Sequence, residues 1–185
     1  MAIATGMRRS EILALRWSDV SPDLSLAHVR RIIQPTADGL VFEEPKTKRS
    51  RRAVALPGFL APYLARQRED QERRRREHAG DWSEHDLVID RGDGRPRHPD
   101  TLSSGWHTFV KRRGLPHVRF HDLRHAHATL MLSKGVHPKI VSERLGHASI
   151  GITLDTYSHV LPTMQQEAAA AFDEIFGVAP SSAPS

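Results

Sequence analysis

Apolar positions recur along this chain with a helical period over most of its length, and with a strand-like alternation over one stretch near the start. Residues 1–5 form an apolar turn that meets Gly6, a C-cap signal, and read as the tail of a helix whose beginning is missing. Residues 8–20 (RRSEILALRWSDV) predict a helix, with Ile12, Leu13, Leu15 and Trp17 on its apolar face, Ser10 as N-cap and Ser21-Pro22 as its stop. Residues 24–34 are rich in apolar and β-branched positions and predict a strand. Ala37-Asp38-Gly39 is a turn, and residues 40–44 and 51–56 predict two further strands around the polar loop 45–50. Together they give a three-stranded antiparallel meander.

The rest of the pattern is helical. Residues 59–78 predict a helix whose Glu69/Arg73, Asp70/Arg74 and Glu72/Arg76 spacings suit a solvated, ion-paired face. Residues 79–98 read as loop. Helices follow at 99–113 (apolar Leu102, Trp106, Phe109, Val110), 121–133 (Leu123, Ala126, Leu130, Met131), 138–145, 149–160 (Ile150, Leu154, Tyr157) and 162–176. Residues 177–185 read as a disordered tail. No internal repeat is present. The fold class expected is mainly α with a small three-stranded antiparallel β-sheet (α+β).

Composition narrows the class of protein. With 185 residues, 38% hydrophobic and 26% charged, the chain suits one globular domain. Its longest apolar stretch, 53–65, is broken by Pro57, Gly58 and Pro62, so no membrane span is expected. The absence of cysteine removes disulfides, thiolate zinc sites and cysteine nucleophiles, and fits a reducing, cytoplasmic setting. Lysine and arginine number 27 against 22 acidic residues, a net charge of +5, which favours a polyanionic partner.

Four places hold groups able to do chemistry: Arg8 between the first two helices, Lys46 in the polar loop, His121 and Arg124 three apart on one helix, and His147 just past Gly146, with Tyr157 ten residues later. Singly, each has an ordinary structural role open to it. His121, His125 and His127 suggest a metal, but the letters between them are not the H-E-x-x-H pattern, and Arg124 would repel a dication. Taken together, two arginines, a lysine, two histidines and a tyrosine make a cationic pocket with one nucleophile. Such a pocket suits a phosphodiester and needs no metal or other cofactor. A phenol with pKa near 10 is about one part in a thousand ionised at neutral pH, a cost of about 4 kcal/mol that nearby cations and a histidine acceptor lower.

The letters resemble a known family, the tyrosine recombinases of the phage integrase type. TGMRRSEILALRW is similar to the family's first arginine box, EPKTKRSRRAVALP to its hairpin lysine segment, HDLRHAHATLML to its H-x-x-R box, and LGHASIGITLDTYSHV to its final His-to-Tyr box. The resemblance implies a site-specific recombinase that cuts and rejoins double-stranded DNA through a 3′-phosphotyrosyl link. Arg8 and Arg124 would clamp the scissile phosphate. His121 would assist proton removal from Tyr157 and hydrogen-bond the phosphate, and His147 would donate to a non-bridging oxygen. Tyr157 would attack phosphorus, with Lys46 as general acid and Lys48 as its fallback. Glu11 would orient neighbouring basic groups. The resemblance also implies a homotetramer on DNA, assembled through the helix at 162–176. Only seven residues precede Arg8, so residues 1–176 read as a catalytic domain without its first helices and without the family's N-terminal core-binding domain. The alternative expectation is a catalytically incompetent DNA-binding remnant; a type IB topoisomerase-like nicking activity would share the chemistry.

Overall fold

Gly6, at φ 67° and ψ 9°, ends helix α1 (Ala2–Thr5) in the left-handed conformation, and helix α2 (Arg9–Ala14) begins three residues later. The structure, a computed structural model, describes residues 1–45, 47–78, 80–158 and 162–177, with backbone alone at Lys48 and 162–168. The N-cap of α2 is Arg8 rather than Ser10: the Arg8 backbone N–H donates to Glu11 Oε2 at 2.7 Å, which satisfies one of the helix's orphan donors. The helix is also shorter than the apolar pattern predicts. Val88 N–H donates to the Leu15 carbonyl at 2.9 Å and Trp17 N–H to the Asp86 carbonyl at 2.8 Å, so a bridge to the segment 86–88 takes the backbone groups that a further helical turn would need.

The β structure departs from a three-stranded meander. It consists of β1 (Leu26–Val29), β2 (Ile32–Thr36), β3 (Gly39–Glu43) and β4 (Arg52–Ala55). β2 pairs with β3 (Ile33 opposite Phe42) and β1 with β4 (Ala27 opposite Val54), both antiparallel. The stretch read as one strand is thus two, each with its own partner. The break falls at Arg30 and Arg31, which both turn to the buried Asp19 carboxylate, at 3.6 and 2.9 Å. The fold class is otherwise as expected, helical with small antiparallel sheets.

The remaining helices are α3 (Ala61–Glu77), α4 (Pro99–Arg112), α5 (Asp122–Ser133), α6 (Pro138–Leu145), α7 (Ile150–Tyr157) and α8 (Pro162–Ile175). One apolar cluster joins Met7, Ile12 and Leu15 to Ala27, Val54 and Leu64; a second joins Ala128 and Leu132 to Val141, Leu145 and Tyr157. Each large aliphatic side chain in them contributes about 1.5–3 kcal/mol by leaving water. The ion pairs of α3 differ from the predicted set: Arg73 meets Asp70 at 2.8 Å, and the Arg74 side chain reaches off the helix to the buried Asp90 at 3.2 Å.

α5 turns a different face inward from the one its apolar letters suggest. Arg124, His127, Ala128 and Leu132 are buried, and Leu130 is 55% exposed. The reason is that α1 and α6 both pack on α5 and supply carbonyl acceptors, so polar side chains can be buried there with partners. On α7, Thr153 and Tyr157 are buried, whereas Ile150 and Leu154 are exposed. On α8, Phe172 and Ile175 are exposed. No described helix is long and apolar enough to cross a membrane. Of the predicted tail at 177–185, residues 178–185 lie outside the described residues.

Candidate active site

The site is assembled from two glycine-capped helix ends and one buried carboxylate. Gly6 closes α1 and Gly146 (φ 68°, ψ 44°) closes α6. A Cβ would be crowded at both: at Gly6 it would lie 2.6 Å from the His127 ring, and at Gly146 2.9 Å from the Arg52 guanidinium, which would have to shift. The two turns leave their carbonyls pointing at the arginines. Arg124 donates Nη1 to the Gly6 carbonyl at 2.7 Å and Nη2 to the Leu145 carbonyl at 2.6 Å; Arg8 donates Nη2 to the Gly146 carbonyl at 3.4 Å.

Glu11 binds the cations together. Its carboxylate accepts from Arg8 Nη1 at 2.9 Å and from both terminal nitrogens of Arg52 at 3.0 Å, with its side chain only 1% exposed. Burial pushes the Glu11 carboxyl up, but the hydrogen bonds and charge of Arg52, and then Arg8, outweigh it and hold it below the ordinary carboxylate value. Burial, then the charge of Arg8, pulls Arg124 below the usual guanidinium range, though a guanidinium keeps its proton at neutral pH. Three guanidiniums against one carboxylate leave two positive charges in excess beside the cavity.

His147 follows the Gly146 turn, with its Nδ1 2.9 Å from the hydroxyl of the buried Thr153. Burial, then Arg124, Arg8 and Arg52, lowers it to about 4, so its ring is neutral at pH 7. Tyr157 packs in the second apolar cluster, with its hydroxyl 2.8 Å from His125 Nδ1. Burial raises the phenol above its ordinary value, and Arg124 opposes that only partly. His121 lies on the exposed side, its ring edge-on to His125 at 5.1 Å. Burial, then His125 and Arg124, lowers it too.

Arg8, His121, Arg124, His147 and Tyr157 all line one cavity of about 370 Å³. Lys46 lies outside the described residues. Lys48 sits in a single 3₁₀ turn, Lys48–Ser50, its side chain outside the described set; the flanking Thr47 and Ser50 line the cavity. Arg49 of the same turn donates to the Ala148 carbonyl, joining the loop to the α6–α7 connection. A larger cleft of about 780 Å³, lined by Arg16, Arg30, Arg31, Arg51 and Arg52 together with Glu43 and Glu44, opens along the two strand pairs. Such an arrangement has the chemistry to receive an oxyanion: guanidinium donors, excess positive charge and one phenol share a pocket.

Sequence reasoning missed Arg52 and Thr153, and met His125 only as a possible metal ligand. Arg52 carried a usable signal, since it alternates with the buried Val54 and Leu56. Thr153 shares a helix face with Tyr157 four positions on. His125 has no comparable signal, because which of several histidines meets the phenol depends on how α5 and α7 pack.

Residues 1–164 match the phage integrase family. The chain belongs to that family. Among curated phage integrase relatives it is 34% identical over 175 residues to the ICEBs1 integrase of Bacillus subtilis, covering 95% of this chain and 47% of that protein. It is 31% identical over 191 residues to a tyrosine recombinase XerC-like protein of Caldanaerobacter subterraneus subsp. tengcongensis, covering 95% of this chain and 48% of that protein. The chain thus spans about half the length of these relatives. Among solved structures, the Tn1549 transposon integrase in complex with transposon right end DNA superposes with a TM-score of 0.76 at 20% identity, over 95% of this chain and 56% of that one. XerA recombinase superposes at 0.66 and 22% identity, over 92% of this chain and 55% of that one. At these identities the likeness is one of fold.

Proposed function

We propose that this chain carries the strand-exchange chemistry of a site-specific DNA recombinase, with double-stranded DNA as substrate. The observation that carries the reading is the convergence of Arg8, Arg124, His147 and Tyr157 on one cavity. Arg8 and Arg124 hold the non-bridging oxygens of a backbone phosphate and offset the charge that grows on them in the transition state. With the Thr153 hydroxyl donating to Nδ1, the neutral His147 ring carries its hydrogen on Nε2 and offers it to the same oxygens. His121, at the rim, adds a further hydrogen bond to the phosphate. The Tyr157 oxygen attacks phosphorus, the 5′-oxygen leaves with a proton from Lys46, or from Lys48 in its place, and the DNA remains joined through a 3′-phosphotyrosyl bond. Attack by the 5′-hydroxyl of another strand reverses the step without ATP. Glu11 and Arg52 set the positions of the cations. The arginine-lined cleft along the strand pairs suits the flanking DNA backbone.

We also propose that α8, with Phe172 and Ile175 exposed, packs on a second copy when a tetramer forms on DNA; sedimentation with and without DNA tests this. The site needs no cofactor, and cytoplasmic action on DNA follows from the same reading.

The chemistry is tested by incubating the purified chain with a pool of randomised duplexes nicked in one strand, so that the short 5′-hydroxyl fragment released by attack diffuses away. A denaturant-stable protein–DNA adduct, mapped to Tyr157 and lost in Tyr157→Phe, is expected. DNA retention without any adduct would leave the chain a DNA-binding remnant and sink the catalytic reading.

A further inference from the structure

The strand-exchange reading requires the Tyr157 hydroxyl to lose a proton, and the groups facing it are specific. His125 Nδ1 lies 2.8 Å from the Tyr157 oxygen, within hydrogen-bond reach of the proton to be moved. His121, four residues earlier and on the same side of the helix, stands edge-on to His125 rather than against the phenol. The Tyr157 ring is held in the second apolar cluster, so its hydroxyl is aimed rather than free to search for a partner. Both His125 and Tyr157 line the cavity that also holds Arg8 and Arg124. We propose that His125, not His121, is the residue that accepts the Tyr157 proton as the phosphotyrosyl bond forms.

This proposal rests on the strand-exchange reading and assigns one of its steps. The step requires the His125 ring to carry its hydrogen on Nε2, so that Nδ1 accepts from the phenol. In the step, the Tyr157 O–H bond breaks and its proton passes to Nδ1, giving an imidazolium. The phenolic oxygen bonds to phosphorus, and the phosphorus–O5′ bond breaks with its electron pair on O5′, which takes a proton from the general acid. On religation the proton returns from His125 to the phenol. The imidazolium forms next to His121 and Arg124 on its own side, with Tyr157 from α7, and His147 and Arg8 across the cavity; Asp122, one turn back, is the acidic group among them. In that cationic setting the attacked phosphate supplies the compensating negative charge, so the proton moves only when a phosphate is bound.

Two measurements test it, one of them independent of activity. In DNA-free, ¹⁵N-histidine-labelled chain, His125 is expected as the Nε2–H tautomer, and its Nδ1 signal is expected to move in Tyr157→Phe. A neutral ring protonated on Nδ1, or a signal unmoved by Tyr157→Phe, overturns the proposal whether or not an adduct is ever trapped. For the second, the duplex captured from the nicked pool is used with His125→Asn, whose side-chain oxygen can take the place of Nδ1 as an acceptor but cannot carry the proton. Adduct formation is expected to slow by about 10²-fold or more. A wild-type rate in folded His125→Asn, or a comparable loss confined to His121→Asn, overturns the assignment. No adduct from the unaltered chain, with the ¹⁵N coupling intact, sinks the strand-exchange reading and the proton step with it, leaving only the His125–Tyr157 hydrogen bond.

Discussion

Glu11 and Arg52 lie 41 residues apart and meet in a two-pronged ion pair, each terminal guanidinium nitrogen 3.0 Å from a different carboxylate oxygen. Both side chains are nearly closed to water, at 1% and 7% exposure. Arg52 Nε also donates to the Arg144 carbonyl at 2.6 Å, so one side chain ties α2, β4 and the end of α6 together. Removing either partner leaves a buried charge short of its counterion. Arg52→Met is expected to lower stability by about 3–5 kcal/mol in urea unfolding. Arg52→Lys is expected to recover only part of it, because an ammonium cannot span both oxygens.

Acid should release the same linchpin. The folded Glu11 carboxyl sits below its ordinary value of 4.5, so the unfolded chain binds its proton first as pH falls. The stability this contributes is complete above pH 4.5 and drains away as pH falls through the lower folded value. Unfolding midpoints measured from pH 6 to 2.5 are expected to converge between the wild type and Glu11→Gln at the acid end. Parallel curves would argue against it.

His147 gives a separate window. Its folded value of about 4 lies below the ordinary 6.5, so here too the unfolded chain takes up the proton first. The associated stability is complete above pH 6.5 and falls progressively down to about pH 4. NMR titration should find the His147 ring neutral from pH 8 to 5. Inorganic phosphate seated between the arginines should shift its midpoint upward by supplying negative charge.

The two cap glycines should not behave like an ordinary turn glycine. Gly135, at φ 73°, has open space where a Cβ would go, so Gly135→Ala is expected to cost only about 1 kcal/mol for the left-handed backbone. Gly6→Ala adds a clash at 2.6 Å with His127 and 2.7 Å with Leu145, and disturbs the carbonyl that holds Arg124. Its cost is expected to reach about 3 kcal/mol, as overpacking does. Thermal unfolding of the two variants makes the comparison.

Binding to duplex DNA should weaken steeply with salt, since each neutralised phosphate contributes about −0.9 to the slope of log affinity against log salt. Arg8 is 35% exposed and faces the cavity, so Arg8→Ala is expected to flatten that slope by about one phosphate's worth without unfolding the chain. An unchanged slope would remove Arg8 from the phosphate contacts.

Much of this was written in the letters. The helical period marked α3 to α8 within a few residues, α3 to α7 each bury at least part of one stripe, and Gly146 announced the end of α6 by a conformation that only glycine adopts cheaply. The motif spacing named Arg8, Arg124, His147 and Tyr157, and these do share a cavity. The letters misled where tertiary contacts outbid local pattern. Leu15 leaves its helix because Val88 offers it a partner, and the strand breaks at Arg30 because Asp19 is buried nearby. Leu130 faces water because α1 and α6 supply carbonyls that let Arg124 and His127 take the inside.

The chain alone therefore determined which side chains are available for phosphate chemistry and which helices carry them, since periodicity and caps are local properties. Only the packed structure decided that Glu11 is shared by Arg8 and Arg52, and that the phenol of Tyr157 meets His125 rather than His121. Those pairings depend on how α2, β4, α5 and α7 sit against one another. That arrangement is fixed by burial summed over the whole molecule, which no short stretch of sequence encodes.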